Sequence, residues 1–189
     1  MDLAKTEITQ ETYLIGIGAS PGIAIGATFL LNRARAAAVE RRLAAEEIAG
    51  ECARFLAAVA LSKLQLEEVK AHVADPLLAE HLYIIDTHLL ILDDQMLHEQ
   101  TLQAIEKELL NAEGALKRTL QKFRAVFDCI EDEYLRERRS DIDSVGDRLL
   151  RNLVGARQQS PAEVDHKAII VAHDLSPADT MQLDKSKVI

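Results

Sequence analysis

The sequence predicts an α+β fold in which a block of long amphipathic helices is inserted between two short β-containing segments. Three observations carry this. Apolar residues recur at helical spacing from about Val39 to Gly155, two β-type runs precede that block, and a third apolar run follows it. The composition agrees. Hydrophobic residues make up 48% of the 189, enough for a core, while aromatics are only 4% and Trp is absent. That balance favours helix packing by Leu, Ile, Val and Ala over an aromatic-rich β fold.

Taken in order, residues 1–12 are polar and read as a flexible lead-in. Two β-type runs, about 13–18 and 23–31, flank Ser20-Pro21-Gly22. Proline presets φ and glycine permits positive φ, so a tight turn is expected there, within a hairpin or between two edge strands. From Val39 the period changes. Ala45, Ile48, Cys52, Phe55, Val59, Ser62, Leu66 and Val69 are spaced alternately three and four residues apart, an unbroken helical stripe. Asp75-Pro76 then supplies an N-cap residue and a proline at the first helical position. The helix it opens carries Leu78, Leu82, Ile85, Leu89 and Leu92.

Asp93-Asp94 interrupts, and Met96, Leu97, Leu102, Ile105 and Leu109 start a third helix. Asn111 can cap a fourth, with Leu116, Leu120, Phe123, Phe127, Ile130 and Tyr134. The last helix holds Leu135, Ile142, Val145, Leu149 and Leu153 and stops at Gly155, a residue suited to the C′ position. A polar loop over 156–165 leads to Ala168-Ile-Ile-Val-Ala172, a short buried strand. Ser176-Pro177 opens a short helix, and Lys187-Val188-Ile189 begins another strand, which suggests that the natural chain continues.

The formal net charge of −9 argues against nucleic acid and anionic membrane surfaces as partners, and suits a basic protein or plain solubility. No apolar run reaches the roughly 18 residues of a membrane span, and the N-terminus lacks a signal-peptide core, so a cytoplasmic location is expected. Cys52 and Cys129 form no C-x-x-C motif; Cys52 lies on an apolar helical face and reads as a buried free thiol.

Candidate chemical motifs are few. Gly16-Ile-Gly-Ala-Ser-Pro-Gly22 fails the G-x-G-x-x-G pattern and precedes a strand rather than a helix, so no phosphate-binding helix terminus follows it. Asp141-Ile-Asp-Ser-Val-Gly146 resembles the opening of a calcium loop, but Val145 and Asn152 stand where that loop needs carboxylate-type ligands. None of the six histidines pairs with another at helical ligand spacing, so no metal site is expected. The charge-dense stretch around Arg138 and Arg139 is either a solvated helix face or one wall of a groove.

Four segments resemble one family. Gly18-Ala-Ser-Pro-Gly-Ile-Ala-Ile-Gly26 is similar to the start of enzyme I of the bacterial phosphoenolpyruvate-dependent sugar phosphotransferase system. Tyr83-Ile-Ile-Asp-Thr-His-Leu-Leu-Ile-Leu-Asp-Asp94 resembles its F-x-x-H-x-x-x-L-x-D helix. The stretch from Asp132 to Gly155 resembles its Y-x-x-E-R-x-x-D-x-x-D-x-x-x-R-L-L helix, and Ile169-Ile-Val-Ala-His-Asp-Leu-Ser-Pro177 its strand and turn before the active-site region. The four occur in the family's order and span nearly all of 13–189.

The resemblance implies a fold and a role. Residues 39–155 would be the helical subdomain that docks the carrier protein HPr. Residues 13–38 and 156–189 would be part of an α/β phosphohistidine (swivelling) subdomain. The family's enzyme takes phosphate from phosphoenolpyruvate onto a histidine, with magnesium, and passes it to HPr for sugar uptake. It dimerises through a C-terminal barrel. Carried over residue by residue, the match puts Glu80, Ile84, His88, Ile91, Asp94 and Leu97 on the docking helices, and Phe127, Ile130 and Arg138 across the groove. His88 and Ile91 flank the Ile85–Leu89–Leu92 stripe and are expected to be accessible. Asp174, Leu175, Ser176 and Pro177 match the loop near the phosphohistidine.

The G-G-x-T-S-H motif that holds the phosphorylated histidine is absent, as is the barrel. No residue here is therefore assigned as catalytic. The chain by itself is expected to bind no cofactor and not to autophosphorylate, yet still to dock the carrier. Met96 at a commonly acidic position and the lead-in before Tyr13 leave room for a relative serving a nitrogen-regulatory or dihydroxyacetone-kinase branch. A helical scaffold or regulatory module is the alternative of a different class.

Overall fold

The computed structural model describes residues 16–31, 39–73, 76–129, 132, 139–155 and 160–189. Strand β1, Ala27–Leu31, pairs in parallel with β2, Ala168–Ala172, with Ala27 opposite Ala168 and Leu31 opposite Ala172. A parallel pair needs a long crossover, and here the whole helical block supplies it. Val188 bridges Ala168 in parallel, so the predicted last strand begins where expected.

Among the described residues no hairpin is seen between the two runs expected to form a hairpin or two edge strands. Residues 16–26 carry no ladder, and 13–15 lie outside the described residues. Ile17, Ile23 and Ile25 are exposed, and among the described residues β1 pairs with β2. The turn signal was sound locally: the chain bends over 19–21 and Gly22 takes φ 135°.

Helix α1, Ile48–His72, buries Phe55, Val59, Ser62, Leu66 and Val69, the stripe read from the sequence, against the bundle. Cys52 is only half-buried, and burial pushes its thiol pKa up. The helix expected to follow Asp75-Pro76 is divided by a turn at Glu80-His81 into α2, Pro76–Ala79, and α3, Leu82–Asp93. Asp94 ends α3 and caps α4, Gln95–Glu108, its carboxylate accepting the Leu97 amide at 2.8 Å.

At the α4–α5 corner Leu109 adopts φ 56°, the left-handed region. Segment 39–43 crosses this corner, Leu43 N donating to Leu109 O at 2.7 Å and Asn111 N to Arg41 O at 3.0 Å. Helix α5, Ala112–Asp128, follows. Asn111 sits at its N-cap position, but its side chain does not cap. Its Oδ1 accepts Arg41 N at 3.0 Å, and its Nδ2 donates to Val39 O and Glu113 Oε2. Glu51 of α1 caps instead, accepting the Ala112 amide at 2.8 Å, and Arg54 bridges Glu51 and Glu113. A buried corner needs every polar group partnered, and a carboxylate from the neighbouring helix meets that need.

Helix α6 is Arg139–Val154, and Gly155 ends it at φ 66°, as its position predicted. A Cβ on Gly146 would lie 2.5 Å from Leu120 Cδ1, so glycine lets α6 approach α5 closely. Ile130, Tyr134, Leu135 and the lead-in lie outside the described residues. The core joins α1, α3, α4, α5 and α6, and the short helix α7, Pro177–Met181, adds Ala178 and Met181 to it.

Candidate functional site: an acid-rimmed helix face and a cleft

Three large apolar side chains are exposed along α3 and at the start of α4. Leu90 is 71% exposed, and Tyr83 and Met96 are exposed as well. Carboxylates surround them. Glu80, Asp93, Asp94 and Glu99 are exposed, Asp86 is half-buried, and of these Asp86 pairs with Lys70 at 2.5 Å and Asp93 with Lys63. Tyr83 and Leu90 each stand two residues from the buried stripe, which turns them to the opposite side of α3.

Several sequence-assigned residues fall elsewhere. His88 is not accessible: it is 2% exposed, on the buried stripe Ile85–His88–Leu92. The stripe is centred on 88 rather than 89 because α6 packs there and offers a partner. His88 Nε2 lies 3.3 Å from Asp141 Oδ1, and both residues are buried. Leu97 is likewise fully buried in the first turn of α4. Ile84, Ile91 and Phe127 are half-buried, Glu80 and Asp94 are exposed, and Ile130 and Arg138 lie outside the described residues. Leu90 and Met96, which the sequence reading did not single out for docking, are the apolar side chains this face presents. The two-residue offset of Leu90 from Leu92, and the place of Met96 beside Leu97, were the available signal.

Burial of His88 lowers its pKa, the loss of hydration outweighing the nearby Asp141 carboxylate, with Arg148 adding to the lowering. The sign follows from proton counting. Between the lowered folded value and the ordinary value of about 6.5, the unfolded chain binds more protons, so stability rises with pH there. Acidification from neutrality through that window should therefore destabilise the fold, and His88→Asn should remove that part of the slope. Urea unfolding at two pH values checks this; parallel pH slopes for wild type and variant would refute it.

Beyond this pair a polar seam continues between α6 and α1. Arg148 donates to Gln65 Oε1 at 3.1 Å, and Asn152 Nδ2 donates to Ser62 Oγ at 2.7 Å. Asp141 also borders a cleft of about 750 Å³ between α5, α6 and the loop 173–177. Its walls mix charges: Lys117, Arg124 and Arg151 against Asp143, Asp147 and Asp174, with Arg124 Nε on Asp143 Oδ1 at 2.5 Å.

All four loop residues of the sequence reading line this cleft. Asp174 accepts the Leu175 amide at 2.8 Å, and Ser176 donates both its amide and its hydroxyl to Asp179, at 2.8 and 2.6 Å. A capping box thus fixes the loop onto α7. His173, on the cleft wall, is exposed. Among the described residues no group of three His, Cys, Asp or Glu side chains could hold a metal ion.

A helical bundle spliced into a parallel strand pair, with exposed apolar side chains among carboxylates on α3 and α4 and a mixed-charge cleft between α5 and α6, defines a helical-insert α+β module. Residues 15–138 match the family model described as "PEP-utilising enzyme, N-terminal", and the chain belongs to that family. It is 37% identical over 179 residues to the phosphoenolpyruvate-protein phosphotransferase of Bacillus sp. (strain S), covering 95% of this chain and 31% of the relative. With the Bacillus subtilis (strain 168) protein of the same name it shares 37% identity over 175 residues, 93% of this chain and 30% of the relative. The chain thus spans about a third of the length of these relatives. Among solved structures it resembles the NMR solution structure of Enzyme I (nEIt), with a TM-score of 0.81 and 29% identity over 92% of this chain and 70% of the other. The N-terminal domain of Enzyme 1 - Nitrogen shares the fold, with a TM-score of 0.63 and 24% identity over 90% of this chain and 69% of that one. Among the described residues no helix is long and apolar enough to cross a membrane.

Proposed function

We propose that this chain is the N-terminal region of a phosphoenolpyruvate-protein phosphotransferase and that it docks an HPr-like phosphocarrier. The observation that carries this is the apolar face of Tyr83, Leu90 and Met96 set among carboxylates. An apolar centre with an acidic rim suits a partner with a basic-rimmed apolar patch: burial of the centre supplies affinity, and the charges supply steering. Residues 39–155 act as the docking unit, with 13–38 and 156–189 as part of the smaller α/β unit.

In the parent reaction phosphate passes from phosphoenolpyruvate to a histidine, with magnesium, and on to the carrier for sugar uptake. This chain contains no G-G-x-T-S-H motif, so the accepting histidine belongs to another part of the parent protein. The loop Asp174–Leu175–Ser176–Pro177, held by Asp179, lines the cleft, and its match to the family's loop near the phosphohistidine supports the reading that the accepting histidine is presented on this side. The protein acts in the cytoplasm, and the parent dimerises through its C-terminal barrel.

The test is a titration of 15N-labelled HPr with this chain. Saturable shifts that weaken at high salt, and that weaken again with Arg138→Glu, are expected. A flat titration up to millimolar chain would overturn the reading.

A further inference from the structure

Met96 departs from the preference of its own position. It is the second residue of α4 and is 57% exposed. The first turn of a helix favours carboxylates, because its unpaired amides and the helix dipole present positive charge there. No acidic side chain occupies the first turn of α4. Its neighbour Leu97 is fully buried, so an apolar side chain is required at that position. Burial makes no such demand at Met96. A carboxylate would serve the helix better, and an exposed thioether loses that gain without filling the core. Departures of this kind, where local preference and packing do not explain the residue, mark functional positions.

The carboxylates around Met96 are engaged by groups of the chain itself. Asp93 pairs with Lys63, and Asp94 accepts the Leu97 amide at 2.8 Å, so its charge faces the start of α4. Glu99 accepts Gln95 Nε2 at 2.6 Å. Gln95 is neutral, so Glu99 keeps its charge, one turn further along α4. Leu90 stands four residues before Asp94 and Met96 two after it, so the α3–α4 junction carries an exposed apolar side chain on each side. An ammonium group laid over Met96 would lose water against a thioether, whereas an apolar side chain would gain burial. Methionine, unbranched and polarisable, adapts its shape to such a partner.

We infer that Met96 is a specificity-determining contact of the docking face, which selects a carrier presenting an apolar side chain, not a lysine, to the first turn of α4. The inference rests on the carrier-docking reading and adds the chemistry of one contact to it. The carrier's cations then fall on the rim, toward the exposed carboxylates of Glu80 and Glu99. A carrier with a lysine in the central place is rejected by the desolvation of its charge, which is discrimination by an unfavourable contact.

Isothermal titration calorimetry of HPr into the full chain reads the sign of the contact. Met96→Glu should weaken binding about tenfold, with a circular-dichroism melt at or above that of wild type, since the carboxylate suits the helix start. Met96→Leu keeps the side chain apolar and close in volume, and should bind within about twofold of wild type. Tighter binding by Met96→Glu would reveal a cation over this position and overturn the inference. An unchanged Kd would overturn it by placing Met96 outside the contact, and a lowered melt would overturn it by assigning the residue to the fold. The wild-type chain separates the two failures: no binding by wild type sinks the docking reading, whereas binding by wild type that Met96→Glu leaves intact or strengthens sinks this inference alone.

Discussion

Replacing Phe55 by alanine is expected to destabilise the bundle by about 3–5 kcal/mol. Phe55 is fully buried on α1, the helix that touches α3, α4, α5 and α6 together. Its ring meets the His98 imidazole edge-on, centroids 6.0 Å apart. His98 is itself held by Nε2 on the Leu92 carbonyl at 2.7 Å, across the α3–α4 junction. Truncation therefore removes the transfer free energy of the ring and opens a cavity where several helices converge. With total stabilities of about 5–15 kcal/mol for a domain of this kind, the variant should lose a large share of its margin. Urea unfolding followed by circular dichroism measures it. A loss under about 1 kcal/mol would mean that the site collapses to fill the void, contrary to the packing described.

Leu90→Glu is expected to weaken binding of the HPr-like carrier at least tenfold without changing thermal stability. The side chain is 71% exposed in the free chain, so its replacement removes no core contact. In the docked state it would lie at the centre of the apolar patch, where truncations commonly cost about 1–2 kcal/mol or more and each 1.4 kcal/mol is a factor of ten. A carboxylate adds a desolvation penalty to the lost burial. Isothermal titration calorimetry with HPr gives the ratio of Kd values. Unchanged affinity would move the contact away from the α3 face. A fallen melting temperature would show that Leu90 serves the fold. The His88 variant answers a different question, because that residue is buried and acts on the docking face only through the position of α3.

The helices were legible because their signals are local. The alternation of three and four residues along α1, the proline at the start of α2, the aspartate at Asp94 and the glycine at Gly155 each state a local preference that the bundle has no cause to override. The strand β2 and the Ser176–Pro177 helix start were equally plain. Three features were not. The partner of β1 lies some 140 residues away, and no short-range pattern distinguishes a parallel partner from a hairpin. The capping of α5 passed from Asn111 to Glu51 because both are buried at one corner, and a helix terminus accepts a carboxylate from any element that reaches it. The break at Glu80-His81 leaves the apolar period intact, so periodicity is blind to it.

The docking residues divide in the same way. Spacing marked α3 as amphipathic, but Leu89 and His88 are adjacent candidates for the same buried row. A histidine is an unusual core residue until a carboxylate is placed opposite it, and that carboxylate, Asp141, comes from α6. Once His88 turns inward, Leu90 must turn outward, since residues two apart on a helix face nearly opposite ways.

The sequence by itself determined that this protein is an α+β chain with a helical insert, where most of its helices start and stop, and which family motifs it carries. Those properties rest on spacing, capping and turn chemistry, which act over a few residues. The tertiary structure alone decided which side of α3 is buried, which strand β1 joins, and that Asp141 stands both at the cleft and beside His88. These depend on which element packs opposite, and a chain reports its own periodicity far more readily than the identity of its neighbours.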